Sequence, residues 1–162
     1  MRLLALSTAA LLASAATAFA APASVDVGLS PEMQAKFQKT YGMREADILI
    51  GDLRASVEKA LAKTGAYDGA RISLTITDVK PNRPTFKQLG DKPGLSLDSF
   101  GIGGATIDGQ VVAADGRTTP VSYRWYESDI RQAVGNWTWS DATWTFDRFA
   151  RKLARGEELA KR

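Results

Sequence analysis

Two acids, a cluster of tryptophans and a run of arginines are the residues through which this chain could do chemistry. Glu127 and Asp129 stand two apart in a segment without periodicity. Paired carboxylates there could share acid–base work or bind a hard cation, which frames one reading, a carboxylate-dependent hydrolase. Several other catalytic routes are closed by composition. The 162-residue chain contains no histidine and no cysteine, so histidine triads, thiol nucleophiles and ordinary zinc or copper sites are excluded. No cofactor and no metal site is predicted. Asp108 and Asp115 each precede glycine, where turn chemistry accounts for them.

The aromatic residues say more. Trp137, Trp139 and Trp144 fall within eight residues, close to Trp125 and Tyr126. At about 100° per residue, Trp144 points away from the apolar stripe of the helix that carries it. It shares that outer face with Arg148, Arg151 and Arg155. An outward tryptophan beside arginines can stack on sugar rings or offer a cation–π platform to an anionic polymer. A second candidate surface is the stretch from Lys80 to Asp98, which holds three prolines, two glycines and no periodicity. Within it Arg83, Phe86 and Lys87 form a stiff, basic, aromatic segment suited to recognition; the same segment could instead be an ordered loop packing Phe86 and Leu89 on the sheet.

These residues need a scaffold, and the chain specifies one. Ile107, Val111 and Ala113 share one parity, and Val121, Tyr123 and Trp125 share another run beyond Asp115-Gly116. Period-two patterns flanking Asp-Gly mark a hairpin. A two-residue turn would put the two apolar rows on opposite faces, because a slip of one residue flips every side chain. A three-residue loop, Ala114-Asp115-Gly116, makes the rows coincide and sets Gly109 opposite Val121. Val25, Val27 and Leu29 predict a short edge strand; Ile72, Leu74 and Ile76 predict a second strand with one wet face. Ser30-Pro31-Glu32 opens a short helix ending near Tyr41-Gly42. Ala46, Ile50, Leu53, Val57, Ala60 and Leu61, widened by Leu49, stripe a long helix over Glu45–Lys63 that stops at Gly65. Ile48 lies off that stripe and calls for cover from the preceding loop. Ser140 is placed as the cap of a closing helix, with Asp141 in its first turn and Ala142, Phe146, Phe149 and Leu153 on its buried face.

The fold class that follows is α+β: a two-layer sandwich with a largely antiparallel sheet of about four strands and two main helices on one face. Crossover handedness seats the first strand parallel to the second.

Residues 1–20 read as a cleaved signal peptide. Arg2 precedes the apolar run Leu3–Ala16, and Ala18-Phe19-Ala20 supplies small residues where a signal peptidase reads. Residues 21–162 form one domain with a frayed, charged tail from Gly156, and no segment has the length of apolar sequence a membrane span requires. Removing Arg2 leaves 20 Lys and Arg against 18 Asp and Glu, too even a balance to argue for nucleic acid. A cysteine-free chain exported to an oxidising compartment must be held by its core, not by disulfides.

The signal peptide, the helix, the Ile72-Ser73-Leu74-Thr75-Ile76 strand, Gly101-Ile102-Gly103-Gly104 leading into a strand, Ala114-Asp115-Gly116 and the closing helix together resemble small Gram-negative envelope proteins grouped as domains of unknown function. Many of those are lipoproteins; this chain has no lipid-carrying cysteine. The resemblance implies a periplasmic or secreted location and the α+β fold, and it carries over no functional residue. The expected function is a non-enzymatic, soluble periplasmic protein that binds an envelope component or assists envelope assembly. Its expected partners are envelope polysaccharide, anionic glycolipid or another envelope protein. A partner-bound subunit or inhibitor is the third reading.

Overall fold

The computed structural model describes residues 21–159, so the signal peptide expected at 1–20 lies outside the described residues. The chain begins with strand β1 (Ser24–Leu29) and helix α1 (Pro31–Lys36), the latter capped by Ser30, whose hydroxyl accepts from the Met33 N–H. The helix widens into a π-turn over Phe37–Tyr41, closed by the Gly42 N–H donating to the Phe37 carbonyl at 2.7 Å, and Gly42 breaks it at φ 97°. Helix α2 (Met43–Thr64) ends at Gly65 in the left-handed region, as its stop signal predicts. Strand β2 (Arg71–Lys80), a one-and-a-half-turn helix α3 (Phe86–Asp91), strands β3 (Gly104–Val112) and β4 (Thr118–Tyr126), a 3-10 turn at Ile130–Ala133 and helix α4 (Ser140–Ala154) complete the order.

The four strands form one sheet in the order β1-β2-β3-β4, with β1 parallel to β2 and the other pairs antiparallel. The hairpin register is the one the apolar parity demands. Ile107 pairs with Tyr123, Gly109 with Val121 and Val111 with Thr119. The bend is Ala114-Asp115-Gly116, with Gly116 at φ 85° and the Ala113 N–H donating to the Arg117 carbonyl at 2.9 Å. Both apolar rows therefore face the same layer, where Tyr123 meets Phe149 with ring centroids 6.1 Å apart.

That layer is α2 and α4, which pack on each other and on the sheet around a single core. In α2 the buried positions are Ala46, Leu49, Leu53, Val57 and Leu61; Ile50 and Ala60 sit at its margins, so the stripe centres on Leu49. Ile48 receives no cover and is exposed. The four predicted core positions of α4 are all buried. The Ser140 hydroxyl does not cap α4: it accepts instead from the Trp137 N–H at 2.9 Å, closing the turn that leads in. Beyond α4 the tail is tied down as far as it is described. Glu157 pairs with Lys152 at 2.8 Å, and Leu159 is buried against the core.

A bulge at Thr77 shifts the β2–β3 register after Ile76, so that Ile76 and Val79 both face the core while Asp78 turns to the open face of the sheet. There the Tyr126 hydroxyl donates to Asp78 at 2.6 Å and Lys36 donates to it at 3.2 Å. Burial pushes the Asp78 carboxyl up, but the bonds from Tyr126 and Lys36 outweigh it and hold the group below its ordinary value of 3.8. Burial, then the bond to Asp78, raise Tyr126. Burial lowers Lys36, and the facing Tyr41 and Asp78 more than reverse that, leaving it raised. The depressed Asp78 stabilises the fold above the ordinary carboxylate range, and that contribution fades as pH falls through its folded value. The raised Lys36 and Tyr126 stabilise fully below their ordinary values of 10.5 and 10.0 and lose that contribution as pH climbs through the folded ones. Asp78→Asn should therefore flatten both the acid and the alkaline limbs of a plot of urea midpoint against pH; an unchanged acid limb would contradict the cluster's role.

Candidate binding cleft

At the end of the sheet where β2 leaves it, two irregular segments face each other across a cleft of about 430 Å³. One wall is Arg83–Phe86 with Leu97; the other is Gly135–Thr138, and Glu45 of α2 closes it. Local sequence fixes both walls. Thr85 and Gln88 form a reciprocal capping box that starts α3, with the Gln88 N–H donating to the Thr85 hydroxyl and the Thr85 N–H to the Gln88 side chain. Gly135 turns the opposite wall at φ 84°. The walls are laced together. The Arg83 guanidinium donates from Nε to the Asn136 carbonyl at 2.5 Å and from Nη1 to the Leu97 carbonyl at 2.8 Å.

Beneath the cleft lies a buried polar knot. Asp141 is fully buried, and its carboxylate accepts from Asn82 Nδ2 at 2.6 Å, the Gly103 N–H at 2.7 Å and Asn136 Nδ2 at 3.2 Å. The Asn82 Oδ1 in turn accepts the Asp141 N–H at 2.9 Å. Trp139, predicted within the aromatic cluster, is a core residue: it packs against Phe37 and Tyr41, and its indole N–H donates to Glu45 at 2.6 Å.

What the cleft displays is apolar. Trp137 is 83 % exposed and Phe86 81 %, with Leu97 at 65 %, on a domain whose other aromatic rings are mostly covered. Contiguous exposed apolar groups of this kind mark interaction sites more often than chance. A shallower hollow continues the surface from Trp137 past Ser140 to Trp144, itself 43 % exposed.

The residues predicted from sequence are thus spread over several places. Arg83 and Phe86 line the cleft, whereas Lys87 turns from it to pair with Asp91 at 2.7 Å. Trp144 lines a hollow together with Trp137 while keeping the α4 face it shares with the arginines. Arg148 lies over the ring of Trp125, 3.9 Å from its centroid, because β4 brings that ring beside α4. Arg151 and Arg155 face α2 across a separate groove. The outer face of α4 thus carries Trp144, Arg148, Arg151 and Arg155 as expected, with Trp144 at the hollow beside Trp137, Arg148 on the Trp125 ring and Arg151 and Arg155 at the groove against α2. Trp137, Leu97 and Glu45 were not predicted as site residues; the Gly135-Asn136-Trp137 sequence just before a helix is the only local hint of an exposed indole.

The carboxylate pair does not face a cleft. Glu127 Oε1 accepts the N–H groups of Ser128 and Asp129, and Asp129 caps the 3-10 turn and pairs with Arg131 at 2.7 Å. Neither acid lines the cleft or the neighbouring hollows. Among the described residues no cluster of acids is arranged to hold a metal ion, and no helix is long and apolar enough to cross a membrane.

In comparisons with known proteins, no family model matches the chain and no curated protein is similar to it.

Proposed function

We propose that this chain is an exported, non-catalytic protein of the cell envelope that binds another envelope protein through the Phe86–Trp137 cleft. The observation that carries the reading is the pair of almost fully exposed aromatic side chains on opposite walls of one cleft whose backbone is cross-tied. Exposed Trp and Phe flanked by Arg are the residue types that anchor protein interfaces. The polar groups near the cleft favour a protein over a polysaccharide. Sugar hydroxyls need donors and acceptors free to meet them. Here two of the Arg83 donors, the Asn136 amide, the Thr85 hydroxyl and one Glu45 oxygen are already engaged inside the domain. An apolar side chain asks only for the ring faces. The export signal at residues 1–20 supports the envelope as the compartment.

A photo-crosslinking amino acid placed at Val134, exposed and next to the Gly135 wall, tests this in living cells. A discrete protein adduct that disappears on Trp137→Ala and on Phe86→Ala is expected. With the adduct partner purified, Trp137→Ala should weaken binding on the order of 30-fold, the loss of one interface anchor of about 2 kcal/mol. An adduct indifferent to both substitutions, or retention on purified envelope polysaccharide that Trp137→Ala abolishes, would overturn the protein reading.

A further inference from the structure

All 18 Asp and Glu lie between residues 21 and 159, as do all but Arg2, Lys161 and Arg162 of the 21 Lys and Arg, so the described domain is formally neutral. Its charge is nevertheless segregated. The last turns of α2 and α4 run side by side and leave a groove of about 320 Å³. The hollow exists because the positions where the helices approach are Ala60, Ala150 and Ala154, whose side chains stop at Cβ. Lys59 and Lys63 rise on one rim, Arg151 and Arg155 on the other. Among the described residues Lys59, Lys63 and Arg151 have no carboxylate at ion-pair distance, and Arg155 touches Glu157 only at 3.5 Å.

Two bland explanations leave charge over. Cations near helix C-termini offset the macrodipole, but each terminus amounts to roughly half a negative charge. The one acid lining the groove is Asp147, and one of its oxygens already accepts from Ser56 at 2.8 Å. Four cations against Asp147, two half-charges and a Glu157 shared between Arg155 and Lys152 leave roughly one to two positive charges around a concave space. Like charges crowded without partners repel one another, and a bound dianion relieves that.

We propose that this groove binds a phosphate-bearing ligand, with Lys59, Lys63, Arg151 and Arg155 as its counter-charges and the alanine floor admitting the carbon group that carries the phosphate. The volume lies at the small end of ligand sites, which suits one phosphorylated sugar or glycerol unit. The site is separate from the aromatic cleft, so either can exist without the other. The same chemistry is offered by a free phosphate ester and by an anionic lipid headgroup, and two arms distinguish them: calorimetric titration with glycerol phosphate, and co-sedimentation with phosphatidylcholine vesicles with and without phosphatidylglycerol.

Lys59→Gln/Lys63→Gln is expected to weaken whichever arm binds by tenfold or more. Ala60→Met keeps every charge but fills the hollow, and it should weaken the same arm about as much while circular dichroism shows the fold intact. Binding of glycerol phosphate assigns a soluble ligand; binding only to the anionic vesicles assigns a headgroup. If neither probe binds, or if Ala60→Met binds as the parent does, the groove is a diffuse basic surface and the proposal is wrong.

Discussion

Asp141→Ala is expected to lower stability by about 3–5 kcal/mol, the cost of leaving buried partners of a charged acceptor unmet. Asp141 is completely buried, and three donors from separate segments converge on its carboxylate. Its loss would leave the Gly103 N–H without a partner and the Asn82 amide with only the Gly101 carbonyl, 3.1 Å away. A domain of this size has a total stability of about 5–15 kcal/mol, so the variant would forfeit roughly a fifth of it or more and melt on the order of 10–20 °C lower. Asp141→Asn separates shape from charge. Its amide oxygen can still accept from Asn82 and Gly103, and the conflict falls on Asn136, which is less buried and can turn away. Thermal and urea unfolding should therefore rank the alanine variant well below the asparagine one. The knot also joins Asn82 and Asn136 beneath opposite walls of the cleft, so partner binding should weaken at temperatures where the alanine variant is still folded. A melting temperature within a degree or two of the parent would show that the knot does not hold the domain.

Asp141 also shows how far local sequence reaches. As a first-turn acid it looks like a helix-dipole residue, and its position in α4 agrees with that. Its burial depends on Asn82 and Gly103, which arrive from 59 and 38 residues away, and no local pattern records such a meeting. The hairpin was legible because parity and Asp115-Gly116 are both local, and they agree. The same holds for the stop of α2 at Gly65 and for the buried face of α4. Helix α3 was not legible: the Thr85-Phe86-Lys87-Gln88 capping box that starts it is local, but the prolines and glycines around it mask so short a helix. Arg148 illustrates the opposite limit. Its spacing from Trp144 gives the shared face, and only the placement of β4 beside α4 adds Trp125. For the candidate site, the sequence showed that aromatic and basic residues are displayed, but sorting them into a cleft and a groove required the tertiary arrangement.

Gly109→Ala is the second large effect expected, and it inverts an ordinary rule. Replacing glycine by alanine in an unstrained strand usually stabilises by about 0.4–1 kcal/mol, because the unfolded chain loses freedom. At Gly109 a Cβ would overlap the Ser73 carbonyl oxygen and come within 3.0 Å of the Leu74 Cα and 2.9 Å of its Cδ2. Two of those atoms are backbone of the neighbouring strand and can yield only by opening the β2–β3 ladder. Ladder opening would displace Ile107 and Val111 on either side, both buried in the core. Overpacking of this kind costs about 1–3 kcal/mol where side chains can give way, and more where backbone must; about 3 kcal/mol or more is expected here. Gly28→Ala in β1 is the matched control, since nothing lies within 4 Å of its would-be Cβ, and it should be neutral or slightly stabilising. Urea unfolding should place Gly109→Ala about 3 kcal/mol or more below Gly28→Ala, which stays at or slightly above the parent. If Gly109→Ala instead behaves like Gly28→Ala, β2 and β3 do not approach as closely as drawn, and the placement of the cleft at the end of that pair loses its support.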